Sequence, residues 1–279
     1  MRCLVTGHKG FIGSRLYEKL ISLKHDVVGI DLKDGIDINE TLPQEDFDYV
    51  FHLAALPRVE YSVLNPAYTM RHNALATSKL LEWSKNHGVK RFIFSSSCAV
   101  FGENGFPTSP YGLHKLMSEM ECRLYSNLFQ LDTVCLRYYN VFSENQEYGG
   151  SYSTIVSAWM EKIKSNEPLR IDGDGEQTRD YVHVEDICDA NVYFAFLEKK
   201  VSGKCFNIGT SQSISVNDIK GIVEKHHNQL VWDPAPSRLG DPKHIRSDLA
   251  ETYKFGWKHK IDPIKSIENC FKQLNKGEK

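Results

Sequence analysis

Arg2-Cys-Leu-Val-Thr-Gly7-His-Lys-Gly10-Phe-Ile-Gly13 decides how the rest of the chain is read. A strand-length apolar run, Arg2–Thr6, leads into three glycines, and the residues from Phe11 to Leu23 then follow a helical period. Glycine in such a place permits a tight turn, close approach of backbone to a pyrophosphate, and close packing of helix on strand. The helix N-terminus that follows offers unpaired N–H groups and the positive end of a dipole. The spacing is Gly-x-x-Gly-x-x-Gly rather than Gly-x-Gly-x-x-Gly, so the dinucleotide fingerprint is matched loosely. A glycine-rich turn without a ligand is the competing reading, and the position directly after an N-terminal strand disfavours it. The next apolar run, Asp26–Ile30, closes on Asp31, near the distance at which a carboxylate binds a ribose 2′-hydroxyl. A carboxylate there repels the 2′-phosphate of NADP and favours NAD. Strand-end aspartates are also common turn residues, and Lys33 leaves NADP open.

Outward from this unit, strand and helix signals alternate. The pattern predicts strands over 49–55, 91–95 and 133–137, with helices near 74–86 and 112–129. Such βαβ alternation argues for an α/β fold, a doubly wound parallel sheet with helices on both faces. Only about 18 residues separate Asp31 from the next confident strand, too few for a full helix–strand pair. Either a strand is missing or Gly35–Ile38 is a very short one. After Asn140 the pattern changes to a connection, a helix near 154–164, a turn-rich segment from Asp172, and a proline-marked stretch ending at Pro242. This divides the chain into a nucleotide-binding domain over 1–142 and a smaller α+β domain over 143–279. Residues 182–207 are open to contributing elements back to the first sheet.

Composition narrows the function classes. The 279 residues carry 34 Lys and Arg against 36 Asp and Glu, a formal net charge of -2, so a basic nucleic-acid footprint is not expected. With 41% hydrophobic and 25% charged residues the chain is an ordinary globular one. The richest apolar run, Tyr49–Leu56, is of strand length, so no membrane span is expected. The stretch Met1–Gly7 lacks a charged segment followed by a long apolar one, so no secretory signal is expected either. The seven cysteines (3, 98, 122, 135, 188, 205, 270) are scattered and odd in number, which fits reduced thiols in a cytoplasm. The eleven histidines show no trusted ligand spacing, so no metal is expected.

Chemistry enters at Arg91-Phe-Ile-Phe-Ser-Ser-Ser97, a strand ending in hydroxyls, followed by Tyr111-Gly-Leu-His-Lys115. Tyr and Lys four apart on a helix share one face. A tyrosine with an ordinary pKa near 10 is a poor base, and an adjacent ammonium and a positively charged oxidised nicotinamide both favour its phenolate. Ser97 is placed to hold a substrate hydroxyl against it. A Tyr-x-x-x-Lys pair alone is weak evidence, whereas in order with the glycine loop and the strand-end serines it is not.

With these residues in place the chain resembles the extended short-chain dehydrogenase/reductase family, in its nucleotide-sugar epimerase and dehydratase branch. The resemblance covers nearly the whole chain. It rests on Val5–Gly13, Phe51-His-Leu-Ala-Ala55, Ser95-Ser-Ser-Cys-Ala-Val-Phe-Gly102, Ser109–Lys115 and Leu136-Arg-Tyr-Tyr-Asn140. In the second half it rests on Gly173-Asp-Gly-Glu-Gln-Thr-Arg-Asp-Tyr181 and Arg238-Leu-Gly-Asp241. It implies a Rossmann-type sheet with a smaller C-terminal substrate-binding domain, and a homodimer paired through helices. It implies that Gly7, Gly10, Phe11, Ile12 and Gly13 cradle the NAD pyrophosphate and that Asp31 binds the adenosine ribose. Asp37 and Ile38 then lie near adenine, and Leu53, Ala54 and Ala55 also contact the cofactor. Tyr111 becomes the acid/base, Lys115 orients the nicotinamide ribose, and Ser97 binds the sugar 4-hydroxyl. Asn140, Arg179, Arg238 and Asp241 hold the diphosphate of a nucleotide sugar, for which forked arginine hydrogen bonds are suited. Two departures bear on substrate. Asp172 stands where many relatives carry an aromatic residue near the base, and Ile245 falls near a position linked to N-acetyl tolerance.

Within the branch, dehydratases carry an Asp-Glu pair directly after the residue matching Ser97, and decarboxylases keep the glutamate. Here Cys98 and Ala99 occupy those places, and neither does carboxylate work. What remains is epimerisation at C4 by transient oxidation. A 4-keto-sugar reductase, or a C3/C5 epimerase with Cys98 as acid/base, is the enzyme alternative. An NAD-binding regulator without catalysis is the alternative of another class.

Overall fold

The computed structural model describes residues 1–102, 105–146, 153–237 and 243–274. β1 (Arg2–Thr6) leads into α1 (Phe11–Ser22), β2 (Asp26–Ile30), β3 (Tyr49–His52), α2 (Val59–Leu64), α3 (Pro66–Met70), α4 (Ala76–Asn86), β4 (Arg91–Ser97), α5 (Pro110–Phe129) and β5 (Thr133–Tyr138). Then come β6 (Asn140–Phe142), α6 (Ile155–Lys164), β7 (Leu169–Asp172), β8 (Thr178–Arg179), β9 (Tyr181–His183), α7 (Val184–Phe196) and β10 (Lys204–Ile208). The chain continues through β11 (Ile214–Ser215), α8 (Val216–His226), β12 (Trp232–Ala235), α9 (Ala250–Lys254) and α10 (Pro263–Leu274).

Six strands form one parallel sheet in the order β10-β5-β4-β3-β1-β2. Alternate residues serve opposite faces, which is why the strands read as continuous apolar runs. Cys3, Val5, Phe51, Ile93, Val134 and Leu136 meet Leu16 and Leu20 of α1 and Ile187 and Phe194 of α7. Their neighbours Leu4, Val50, Phe92, Phe94 and Cys135 point the other way, onto Leu80 and Leu81 of α4 and Cys122 of α5. A third core joins Trp159 of α6, Ile219 and Val223 of α8 and Ile267 and Phe271 of α10 with strand residues such as Leu169 and Tyr181. The chain beyond residue 142 therefore serves both regions, because α7 and β10 belong to the large sheet.

The order reverses between β1 and β3, and the crevice outside the strand ends at such a reversal is where a ligand binds in these sheets. No strand occurs among the described residues between β2 and β3. Asp31 instead opens a single 3-10 turn, Leu32–Asp34, which ends at Gly35 with φ +76°. Of the two readings the short interval left open, the missing strand is the one observed, and β2 forms the sheet edge. The helix expected near 74–86 starts earlier, as α3 runs through a π-helical turn, Arg71–Leu75, into α4. Pro66 at the first turn of α3 supplies that start, because a missing N–H costs nothing there.

A buried ion pair ties the N-terminal ends of the strands to the crossover from α7 to β10. Arg91 donates through Nε to Asp132 at 2.8 Å and through Nη1 to the carbonyls of Phe194 and Leu197 at 2.6 and 2.8 Å. The other Asp132 oxygen accepts the N–H groups of Val201 and Ser202. The two side chains are only 6% and 7% exposed. Arg91→Met leaves this carboxylate uncompensated and should cost about 3–5 kcal/mol. Urea denaturation should show a lower midpoint with an unchanged slope.

Candidate active site

The glycine loop is built by close contact. Gly7 has φ +74°, and a Cβ there would stand 2.7 Å from the Ala54 nitrogen. A Cβ on Gly13 would stand 2.0 Å from the Gly7 carbonyl oxygen, so α1 can sit this near β1 only with glycine. Gly10 occupies the N-cap of α1 and provides no side-chain cap, which leaves the positive helix end to an external anion. Leu53, Ala54 and Ala55 follow β3 directly and face this loop across the Gly7–Ala54 contact. Asp31 closes β2, and its carboxylate accepts the N–H of Lys9 at 3.0 Å and that of Lys33 at 2.9 Å. The loop and the acidic residue are thus one unit. Asp37 is engaged by Asn39, through both backbone and side chain. The Ile38 side chain packs into the core beneath α4, so only its backbone faces outward.

On the other side of the crevice, three consecutive serines of β4 each meet a different turn of α5. The Ser95 carbonyl accepts a hydrogen bond from Lys115 Nζ at 2.6 Å. Ser96 Oγ donates to Glu119 at 2.5 Å, and Ser97 Oγ accepts the N–H of Ala99 at 3.2 Å and lies near enough to Tyr111 to favour its ionised form. Residues 111, 115 and 119 repeat every four positions, so they share the buried face of the helix. Ser109 caps that helix by accepting the N–H of Gly112, which sets where Tyr111 begins. Burial pushes the Tyr111 hydroxyl up to about 12, with Ser97 opposing. Burial brings Lys115 down to about 8, with Glu119 opposing. The ammonium lies 6.0 Å from the Tyr111 ring centre and 4.7 Å from that of Phe94. Burial thus opposes the phenolate that the ammonium and an oxidised nicotinamide are together expected to favour.

Arg179 lies close enough to Cys98 for its charge to bear on the thiol, which burial nonetheless raises to about 11. Asn140 donates to the Asp180 carbonyl through its backbone and its side chain, at 2.9 and 3.2 Å. Asn140, Arg179, Cys98 and Ser97 are thus drawn to one side of the crevice. Arg238 and Asp241 lie outside the described residues. Among the described residues, no group of three or more His, Cys, Asp or Glu is placed to hold a metal ion, and no helix is long and apolar enough to cross a membrane. All seven cysteines are free thiols.

The model of the NAD dependent epimerase/dehydratase family matches residues 3–209. The chain belongs to that family. It is an NAD-dependent enzyme of the epimerase kind, with the family's Rossmann-type α/β fold. It is 33% identical to a putative UDP-glucose 4-epimerase of Methanocaldococcus jannaschii, over 98% of this chain and 99% of that one. Among solved structures it is similar to the UDP-N-acetylglucosamine 4-epimerase of Methanobrevibacter ruminantium, crystallised with UDP-N-acetylmuramic acid. There the identity is 30% and the TM-score 0.86, covering 98% of this chain and 97% of the other. The UDP-glucuronic acid 4-epimerase of Bacillus cereus, in complex with UDP-glucuronic acid and NAD, gives 28%, a TM-score of 0.87 and 99% coverage of both chains. NAD suits the glycine cradle, where Gly7 and Gly13 let backbone pack directly on backbone and Gly10 leaves the N-terminus of α1 uncapped for an anion.

Residues to which the sequence reading gives no role, His52, Asp180 and Arg137 inside its motifs and Glu119 outside them, hold this epimerase-family site together. His52 bridges the hydroxyls of Thr6 at 2.7 Å and Thr77 at 3.0 Å, and the Thr6 hydroxyl accepts the N–H of Ala54. Burial, with Lys115 nearby, brings His52 down to about 3, so it serves as a neutral strut. Asp180 accepts from the backbone N–H groups of Thr210, Ser211 and Ser247 and from two of their hydroxyls. Glu119 receives a forked bond from Arg137 at 2.8 and 2.6 Å. The four-residue repeat from Tyr111 points to Glu119 in the sequence, whereas nothing local marks His52 or Asp180.

Lys115 makes stability depend on pH. Between its folded value of about 8 and the ordinary 10.5, the unfolded chain holds a proton that the folded chain has released. Stability from this group therefore rises with pH across that window and is flat below it. From pH 8 to pH 10 the wild type should gain about 2 kcal/mol relative to Lys115→Met, as read by urea denaturation at the two pH values.

Proposed function

We propose that the protein is a 4-epimerase of UDP-linked hexoses. The observation that carries this reading is that Ser97, which bears on Tyr111, closes a strand that continues into Cys98 and Ala99 rather than into carboxylates. The relatives described above are named for UDP-glucose, UDP-N-acetylglucosamine and UDP-glucuronic acid. Those sugars differ at C2 and C6 and share the nucleotide and the reacting C4. Cys98 is a poor candidate for acid/base work at C3 or C5, since burial keeps it a thiol to about pH 11. An intact Ser97, Tyr111 and Lys115 set speaks against a regulator without catalysis.

In this reading Gly7, Gly10 and Gly13 with Phe11 and Ile12 hold the pyrophosphate, and Asp31 takes the adenosine ribose. Leu53, Ala54 and Ala55 line the far wall, and Asp37 and the Ile38 backbone border adenine. Bound NAD supplies the hydride acceptor at C4 and returns the hydride to the opposite face. Tyr111 takes the 4-hydroxyl proton and gives it back, and Ser97 holds that oxygen in line. Lys115 fixes the nicotinamide ribose. Asn140 and Arg179, with Arg238 and Asp241, hold the UDP diphosphate while the sugar rotates. Free thiols agree with a reducing cytoplasm.

A hydride that leaves C4 and returns to C4 exchanges nothing with solvent. Turnover of UDP-glucose or UDP-N-acetylglucosamine in heavy water should give product without deuterium on carbon, and C4-deuterated substrate should invert with its label retained. Tyr111→Phe should lower that turnover by roughly two to four orders of magnitude while the fold survives. Solvent deuterium at C3 or C5 would remove the 4-epimerase reading.

We also propose a homodimer. Leu113, Met120, Leu124 and Leu128 form an exposed stripe on α5, with Met120 66% and Leu128 63% exposed, opposite the face that carries Tyr111 and Lys115. Phe129, at the end of α5, is also exposed, beside Lys85. Exposed Tyr68, Met70 and Leu75 extend the patch onto the neighbouring helices. Light scattering at micromolar concentration should give twice the chain mass, and Met120→Glu with Leu124→Glu should give the single chain.

A further inference from the structure

The seat of Asp31 carries more charge than a ribose diol needs. Lys33 Nζ reaches back to the Lys9 carbonyl at 3.0 Å, so the cationic turn after β2 is latched onto the glycine loop. Lys9 Nζ in turn pairs with Asp34, and His8 Nε2 stands 3.5 Å from the other Asp34 oxygen. The His8 ring packs against Gly29, where a Cβ would stand 2.3 Å from the ring, so glycine there lets the loop lie this close to β2. The 3-10 turn folds Asp34 back toward the loop through its N–H to the Asp31 carbonyl at 2.9 Å. Two ammonium groups, one imidazole and two carboxylates thus meet at one strand end.

NADP differs from NAD here by a 2′-phosphate, a group of charge near −2 with three strong acceptor oxygens. Lys9 and Lys33 are the donors such a phosphate would use. Asp31 alone is a weak guard against it, because each of its oxygens already accepts a backbone N–H, from Lys9 and from Lys33. Asp34 adds the further guard by occupying the Lys9 ammonium.

We propose that Asp34 is the specificity-determining residue that keeps this enzyme on NAD, by holding Lys9 away from the position of a 2′-phosphate. The inference rests on the placement of the adenosine ribose at Asp31 and is independent of which sugar reacts.

Direct titration of NAD and of NADP onto the full chain, stripped of nucleotide, separates the two claims. Asp34→Asn frees the Lys9 ammonium, and one charge-assisted bond to phosphate corresponds to roughly ten- to a hundredfold in affinity. NADP should bind tighter by that factor, with NAD unchanged within about threefold. Adding Lys9→Met to Asp34→Asn should abolish the gain. The proposal is overturned if Asp34→Asn leaves NADP binding unchanged, if it shifts both cofactors equally, or if the gain survives loss of Lys9. Asp31→Asn tests the seat itself and should weaken NAD at least tenfold. Unchanged NAD affinity in that variant would instead overturn the ribose placement, and the proposal with it.

Discussion

The site depends on one register, that between the last three residues of β4 and one face of α5. Ser95, Ser96 and Ser97 engage Lys115, Glu119 and Tyr111 respectively. Successive side chains alternate between the sheet faces, so Ser96 turns its hydroxyl to Glu119 of α5 while Ser95 turns its hydroxyl to Tyr138 and meets Lys115 through its carbonyl. Slipping the strand by one residue would exchange every one of these contacts. Glu119 makes the arrangement stiff, because its carboxylate is also forked by Arg137 from β5. The reacting groups are therefore set by two regular elements and a buried ion pair, and not by a loop.

That explains why the residues proposed to react were legible in the sequence as a set and their supports were not. Tyr111, Lys115 and the strand-end serines are bound by helical and strand periods, which a single sequence displays. The glycine loop is legible for a similar reason, since Gly7 and Gly13 answer to contacts only a missing Cβ allows. His52 and Asp180 act across 25 to 67 positions of chain, on Thr77 and Ser247, and no local spacing records such partners. The interval after Asp31 was too short for a strand and a helix, and the structure resolves it as a turn. The same shortness folds Asp34 back on Lys9.

The second half is assembled on different terms. β6 with β9, β8 with β11 and β7 with β12 are pairs of two to four residues, too short to stand alone. Asp180 gathers them, since its buried carboxylate draws in the N–H groups that follow β10 and those that lie before α9. Its own carbonyl receives Asn140 from the end of the large sheet. The short-stranded region is thus fastened to the large sheet through a polar hub, while its apolar core around Trp159 and Phe271 remains separate.

The electrostatics of the pair on α5 completes the argument. Burial moves Tyr111 up to about 12 and Lys115 down to about 8, both toward the uncharged form, because the crevice is poor at solvating any charge. An uncharged tyrosine is an acid, not a base. On the proposed reading it must become a base for the oxidation half of the cycle and an acid again for the return. An oxidised nicotinamide held near Tyr111 would favour its phenolate, and the reduced form would favour the phenol. Tyr111 would then release its proton and take it back in step with the two half-reactions. A site that stabilised the phenolate by itself would lose the second half of that alternation, which is why desolvation of Tyr111 suits a reaction that must run in both directions.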